Sequence, residues 1–520
     1  MGAGIAQLAC KTGARTLLHD PISEALRRGV ERVEDGLARE AAKGRLSAEQ
    51  ADMAATKLEP VAALQELAPC DLVIEAAPER LDIKHELYTR LSEIVGPECV
   101  LASNTSSLPI TAIAAAATHP ERVVGMHFFN PAPLMRLLEV VAGTVSGERA
   151  LALADATGRA MGKDVIRAHD GPGFLVNRCN RPFGLEALRL LAERVADVAS
   201  IDRIVRLGGG FKMGPFELSD LVGVDTGLDV AKSFYELSFG EPRWRPSPIQ
   251  ARQVAAGLHG RKTGRGYYDY SKPPHRPADP ETPPSVTPAD GEGLVVICGE
   301  GGLAGQLREA ALAAGYEVHG PHEPQTELPA LIVECGEPED STSGSPASLV
   351  EAHGATHAPR GAPRVVLCDR GSLLSLDPGG PAVGFHALPP FSACRLVELT
   401  RSDSSSPAAA ARAERFFAAL GKLVEWVGDA PGLVLGRIVC QLVNESAFAL
   451  GEGVGSAEDI DTGMVLGLNH PRGPLEWGDE IGLDHVLRVL DALWEEYREE
   501  RYRAAPTLRR LALAGGSFRS

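Results

Sequence analysis

Apolar positions in the first 130 residues switch repeatedly between two spacings. Helical periodicity covers about Ala3 to Lys11, Ser23 to Lys43 and Lys84 to Val95, while short apolar runs at Arg15 to His19, Asp71 to Ala76 and Val100 to Ser103 read as buried strands. Alternation of this kind predicts an α/β domain built on a doubly wound parallel sheet. Two more apolar runs, Val123 to Met126 and Leu137 to Val141, flank a Pro-rich turn and add strands around His127.

From Asp170-Gly171-Pro172-Gly173-Phe174 the pattern becomes helical with Gly-Pro breaks, ending near Lys262-Thr263-Gly264-Arg265-Gly266-Tyr267-Tyr268. The expected layout is an α/β domain over residues 1–170 and an all-α domain over 171–270. Residues 271–293, crowded with proline, read as an extended interdomain linker. The chain then starts again: Leu294 to Cys298 is a strand candidate, followed by the glycine-rich Gly299 to Gly302 and a helix.

This restart is an internal repeat. His386 and Glu398 follow His127 and Glu139 at a common offset of 259 positions, and so do Asp429-Ala430-Pro431-Gly432 after Asp170-Gly171-Pro172-Gly173 and Gly473-Pro474-Leu475-Glu476 after Gly214-Pro215-Phe216-Glu217. The chain is therefore read as two copies of one two-domain unit, the second an α/β domain over 294–429 and a helical domain over 430–520. The copies differ where chemistry would sit. Asn130 stands against Pro389, Asn177 against Gly436, and Ser106 against Gly371 once a short gap is allowed. Gly- and Ser-rich stretches at 336–361 and 402–409 have entered the second copy.

The 520 residues are 44% hydrophobic and 23% charged, enough for several cores. A net charge of −17 argues against nonspecific nucleic-acid binding and against anionic membrane surfaces. Neither a spanning segment nor a signal-type N-terminus is seen, which makes the cytoplasm the expected location. Nine scattered cysteines without a C-x-x-C pair suggest neither a disulfide frame nor a metal site.

Strands carrying His127 and Glu139 side by side would let the carboxylate accept from imidazole Nδ1–H, fix the tautomer and leave Nε2 free to take a proton. Taken alone, a histidine beside a carboxylate is more often a satisfied core or surface pair. A dinucleotide site needs a strand, a G-x-G-x-x-G turn and an acidic residue after the second strand. Here the sequence begins at the helix, so Leu294 to Gly302 has no counterpart before Met1. Gly2 is then the third fingerprint glycine, and an upstream segment supplying the first strand is expected to restore NAD binding. Asp20 can accept from a ribose 2′-hydroxyl and would repel a 2′-phosphate, favouring NAD; it can equally be a strand-end turn residue before Pro21.

Five blocks, Ala102-Ser103-Asn104-Thr105-Ser106-Ser107, Gly125 to Pro131, Gly171 to Arg178, Gly214-Pro215-Phe216-Glu217 and Lys262-Thr263-Gly264, resemble the NAD-dependent L-3-hydroxyacyl-CoA dehydrogenases over residues 1 to about 270. The duplicated layout is similar to the two-copy bacterial 3-hydroxybutyryl-CoA dehydrogenases, including those associated with phenylacetate breakdown. The resemblance implies a Rossmann-type domain followed by a helical domain, in each copy. It implies a role in β-oxidation of fatty acids, with NAD as cofactor and a CoA thioester as substrate.

By the same resemblance His127 is the base and Glu139 its orienting acid, while Ser106 and Asn177 hydrogen-bond the reacting oxygen or thioester carbonyl. Asn130 faces nicotinamide and substrate, Glu79 and Lys84 contact the NAD ribose region, and Lys262 approaches the cofactor from the helical domain. Lys43, with Arg39 and Arg45, serves the CoA phosphates; a solvated helix face explains these three equally well. The helical domains are expected to pair as an internal pseudo-dimer or to mediate homo-oligomers. A catalytically impaired CoA-thioester-binding or structural protein on the same scaffold is the alternative reading.

Overall fold

The structure is a computed structural model that describes residues 1–281, 293–323, 327–336 and 361–519. The last prolines of the 271–293 segment and nearly all of the 336–361 stretch lie outside the described residues. The chain divides into two compact units, one of residues 1–179 with 449–473, the other of 180–448 with 474–520.

In the first unit the helix Gly2–Lys11 is followed by β1 (Thr16–His19), the helices Ser23–Ala42 and Ala48–Ala55, and β2 (Leu58–Val61). Then come β3 (Leu72–Glu75), the helix Leu81–Ile94, β4 (Val100–Ser103), β5 (Val123–Phe128), β6 (Leu137–Ala142), the helix Glu148–Ala160 and β7 (Asp164–His169). β1 and β2 form a parallel pair; β3 to β7 form a five-stranded sheet in chain order. β3, β4 and β5 are parallel, but β5 and β6 pair antiparallel. That departs from an all-parallel sheet because the short turn at residues 129–136 returns the chain directly, whereas a parallel pair needs a crossover. Val100, Ala102, Val124, Met126, Leu138 and Val140 pack with Ile5 and Leu8 of the first helix to form the core.

The second unit holds β8 (Leu294–Cys298), β9 (Glu317–His319), β10 (Leu331–Glu334), β11 (Arg364–Leu367), β12 (Val383–His386), β13 (Leu396–Arg401) and β14 (Leu423–Val427). Their order is β14-β13-β12-β11-β10-β8-β9. β8 joins β9 to β10, whereas their counterparts in the first unit, β1 and β3, belong to separate sheets.

The repeat extends to single hydrogen bonds. Lys163 Nζ donates to the carbonyls of Ala132 and Met135 at 2.5 and 2.6 Å, and Lys422 to those of Phe391 and Cys394 at 2.7 and 2.6 Å. Each buried lysine clamps the turn between an antiparallel strand pair.

The compact units do not follow the sequence boundaries at 170 and 430. Residues 449–473, from the second helical domain, fold with the first α/β domain: the helix Ala457–Leu468 packs on β6 and β7, and His169 N–H donates to Val454 O at 2.8 Å. The second unit has the mirror arrangement, with Val198–Gly209 on β13 and Gly428 N–H donating to Val195 O at 2.7 Å. Elsewhere in that unit the helical segments of both copies meet. Fully buried Arg437 donates to Glu186 at 2.9 Å and to Glu193, and Arg243 to Glu445 at 3.0 Å.

The described start of the Pro-rich segment is anchored, not a free spacer. Arg276 Nε and His275 Nε2 meet Glu217 at 2.9 Å each, and Asp279 accepts from Arg206 at 2.8 and 3.0 Å. His275, Arg276 and Asp279 are thereby held by the helical domain that precedes them. Among the described residues no helix is long and apolar enough to cross a membrane.

Candidate active site

His127 and Glu139 occupy directly opposed positions on β5 and β6. Facing residues of an antiparallel pair point to the same side, and Nδ1 of His127 lies 2.6 Å from Glu139 Oε2. The carboxylate is fully buried and the imidazole nearly so. Glu139 Oε1 accepts from the N–H groups of Leu175 and Val176 at 3.2 and 3.0 Å. Those donors face it because Gly173 and Phe174 both adopt left-handed backbone, with φ of 71° and 52°, turning successive N–H groups one way. Glycine takes that conformation freely; Phe174 does so at a cost of roughly 1–2 kcal/mol. The Phe129 and Phe174 rings lie 4.8 and 5.8 Å from the imidazole and shield it.

Around this pair the parallel strands end. Ser106 follows β4, and its N–H and that of Ser107 donate to Glu79 at 2.9 Å each, with Thr105 Oγ1 donating at 2.6 Å. Burial alone would raise the Glu79 carboxyl, but these bonds and Lys84 outweigh it and hold it below its ordinary range. Asn104 accepts from Phe128 N–H at 2.8 Å and ties the loop after β4 to β5, a role that no local sequence signal announces. Asn130 follows β5 and is exposed; Asn177 lies on the short helix Val176–Cys179 beside the Glu139 donors.

Lys84 differs from its expected placement. It is 1% exposed, with its ammonium 2.7 Å from Glu75 and 3.6 Å from Glu79, so it holds two carboxylates from inside instead of reaching outward. Glu75, also missed in the sequence, is the buried centre of this network and accepts from Ser103 Oγ at 2.7 Å. A lone carboxylate ending an apolar strand was the available signal. Lys262 lies in the second unit, paired with Asp225 at 2.6 Å. Lys43 is exposed just beyond the helix Ser23–Ala42.

The described residues supply part of a dinucleotide site. The helix Gly2–Lys11 leaves its first N–H groups unpaired, as every helix does, and Gly2 has no atom within 3.9 Å of the position a Cβ would take, so a diphosphate can approach the backbone. Asp20 accepts from Ile22 N–H at 2.9 Å through one oxygen, leaving the other for a ribose hydroxyl.

The second copy keeps the scaffold and loses the pair. His386 and Glu398 are again opposed on β12 and β13, yet neither ring nitrogen of His386 has a hydrogen-bond partner among the described residues. Glu398 gives both oxygens to the N–H groups of Val434 and Leu435, at 2.9 to 3.2 Å. A Cβ on Gly436, the counterpart of Asn177, would lie 2.1 Å from His386 Cε1. The ring therefore fills the space an asparagine would need. Burial, then neighbouring His485, pushes the imidazole down to about 3, and burial pushes Glu398 up to about 8.

A Rossmann-like α/β domain with an acidic residue after β1 and a buried His–Glu pair across β5 and β6 points to a nicotinamide-dependent dehydrogenase. Residues 1–171 match the model of the 3-hydroxyacyl-CoA dehydrogenase NAD-binding domain, and residues 173–270 and again 432–519 match that of the C-terminal domain. The chain belongs to the 3-hydroxyacyl-CoA dehydrogenase family, whose reaction is NAD-dependent oxidation of a 3-hydroxyacyl-CoA to the 3-oxoacyl-CoA.

Among its relatives, the 3-hydroxyadipyl-CoA dehydrogenase of Escherichia coli K12 is 35% identical over 520 residues, covering 100% of this chain and 97% of the relative. The 3-hydroxybutyryl-CoA dehydrogenase of Bradyrhizobium diazoefficiens is 38% identical over 270 residues, 52% of this chain and 92% of its own. The crystal structure of 3-hydroxybutyryl-CoA dehydrogenase from Escherichia coli K12 superposes with a TM-score of 0.81 at 33% identity, covering 99% of this chain and 96% of the other.

Proposed function

We propose that the first copy carries the family reaction on (S)-3-hydroxyacyl-CoA substrates, with His127 as general base. The supporting observation is the 2.6 Å bond from His127 Nδ1 to a fully buried Glu139, which leaves Nε2 with no partner among the described residues. His127 Nε2 takes the proton of the 3-hydroxyl, and Glu139 fixes the tautomer and offsets the imidazolium. NAD, held through Gly2 and Asp20, would supply the acceptor for the hydride that leaves C3.

Ser106 and Asn177 hold the reacting oxygen and thioester carbonyl. Asn130 borders nicotinamide and substrate, while Gly2 and Asp20 bind the diphosphate and ribose. Glu79 serves the cofactor by fixing the Ser106 loop, and Lys84 serves it by holding Glu79. Lys43 meets the CoA phosphates. The acyl range includes short chains and a dicarboxylic chain, in line with the relatives' names; kcat/KM over a ladder from 3-hydroxybutyryl-CoA upward, with 3-hydroxyadipyl-CoA, measures it.

The second copy is a structural partner, paired through the helical segments as an internal pseudo-dimer. His386 without partners and Gly436 in place of Asn177 favour that reading. Replacing His127 by Gln in the full chain is expected to lower NADH formation about 10²- to 10⁴-fold with unchanged circular dichroism. Turnover that survives His127→Gln but disappears with His386→Gln would reverse the assignment of the two copies.

A further inference from the structure

The helix Ala457–Leu468 belongs by sequence to the second copy, yet it folds into the first unit against the groups that hold the His127–Glu139 pair. Its glycines mark the closest approach. A Cβ on Gly467 would lie 2.8 Å from Leu137 Cδ2 and 3.3 Å from both Phe129 Cε1 and Val176 Cγ1. One on Gly463 would lie 2.8 Å from Val176 Cγ2 and 3.0 Å from Ile166 Cδ1, and one on Gly455 3.0 Å from Leu175 Cδ1.

Three of those neighbours, Leu175, Val176 and Phe129, touch the pair. The N–H groups of Leu175 and Val176 hold Glu139 Oε1, the ring of Phe129 lies against the imidazole, and Asn177 follows Val176 directly. The segment is also fixed from both sides, by His169 N–H to Val454 O at 2.8 Å and by Arg178 to Glu452 at 2.7 Å. The mirror contact exists in the second unit, where a Cβ on Gly208 would meet Leu435 Cδ2 at 3.1 Å. There Leu435 holds a carboxylate whose histidine is unbonded, so only one of the two exchanged helices serves a working pair.

We infer that the helix Ala457–Leu468 of the silent copy is a positioning element of the first copy's active site, with Gly463 and Gly467 as positioning residues for Glu139, Asn177 and His127. The inference rests on the His127 assignment above. Mutual support between copies explains why a copy without chemistry is retained in the chain: it supplies the surface on which the other copy's base is held.

The test is Gly467→Ala in the full chain, with Gly463→Ala as a second variant. A displaced Val176 and Phe129 shift the pair by a fraction of an ångström, and kcat is expected to fall about ten- to hundredfold while KM for NAD changes less than about twofold. The acidic limb of the kcat–pH profile should move as the His127–Glu139 bond changes. Leu137→Val removes the nearest clashing methyl, so Gly467→Ala/Leu137→Val should recover most of kcat relative to Leu137→Val alone; this pair also decides the matter if Gly467→Ala alone does not fold. Folded variants with a lower Tm but unchanged kcat and pH profile, or no recovery in the double variant, would overturn the inference. Activity retained in His127→Gln would instead remove the assignment on which it rests, so the two failures are distinguishable.

Discussion

The two unbonded nitrogens of His386 make a counterintuitive prediction. A neutral imidazole has one donor and one acceptor, and leaving a buried polar group unpaired costs about 1–3 kcal/mol. Leucine has nearly the volume of histidine and no polar atoms. His386→Leu is therefore expected to stabilise the second unit by about 2 kcal/mol near pH 8, after some loss to imperfect packing.

The pH dependence gives an independent sign. His386 is pushed down from 6.5 to about 3 by burial and by His485, so the unfolded chain binds the proton more readily between those values. The stability lent by the neutral ring is present above 6.5 and lost as pH falls through the window. Each pH unit there costs the parent up to about 1.4 kcal/mol relative to a chain without this histidine. Near pH 5 the advantage of His386→Leu should have grown by about 2 kcal/mol.

Urea unfolding followed by tryptophan fluorescence reads the right part of the molecule, because Trp244, Trp426, Trp477 and Trp494 all lie in the second unit with His386. A variant less stable than its parent near pH 8, or a difference that stays flat between the two pH values, would refute the reasoning. NADH formation should be unaffected throughout.

Lys84→Met should strip the buried charge partner from Glu75 and cost the first unit about 3–5 kcal/mol, read as a fall in thermal unfolding by circular dichroism; Lys84→Met/Glu75→Leu should recover much of it. Arg437→Met should destabilise the second unit by a similar amount, about 3–5 kcal/mol in urea, because Glu186 would remain buried without its guanidinium. Glu398→Gln removes a carboxyl that burial raises from 4.5 to about 8, a group whose contribution is present below 4.5 and lost as pH rises through 8. The stability of Glu398→Gln relative to the parent should therefore climb between about pH 5 and pH 8, and a flat difference would count against the buried acid.

Much of the fold was legible because apolar runs and helical periodicity are local. The pairing of His127 with Glu139 followed from two apolar strands joined by a short turn, and the 259-residue offset located the second copy's counterparts from His127 onward. The burial of Lys84 is not legible in sequence, because its partner Glu75 sits nine residues earlier, on β3, and a sequence does not reveal which face of the helix Leu81–Ile94 turns inward. The capping box of Ser47 and Gln50 that starts Ala48–Ala55 is a local signal carried by Ser47-Ala48-Glu49-Gln50 itself. The exchange of 449–473 between units could not be read at all: the repeat makes both helical domains equivalent in sequence, and only tertiary packing decides which sheet each helix covers.

The same carboxylate does two jobs in the first copy and one in the second. Glu139 divides its oxygens, Oε1 to the turn at Leu175 and Val176 and Oε2 to His127. Glu398 gives both to Val434 and Leu435, the turn that opens the helix Leu435–Gly451. Those N–H groups would otherwise be buried donors without partners, a cost of about 1–3 kcal/mol each, so the acid keeps a structural value after the chemistry is gone. His386 has no equivalent duty. With glycine at 436 its ring settles into the space left by the missing side chain, where it finds no hydrogen-bond partner among the described residues, and this is why removing the second copy's histidine should help the protein whereas removing its carboxylate's acceptor oxygens should not.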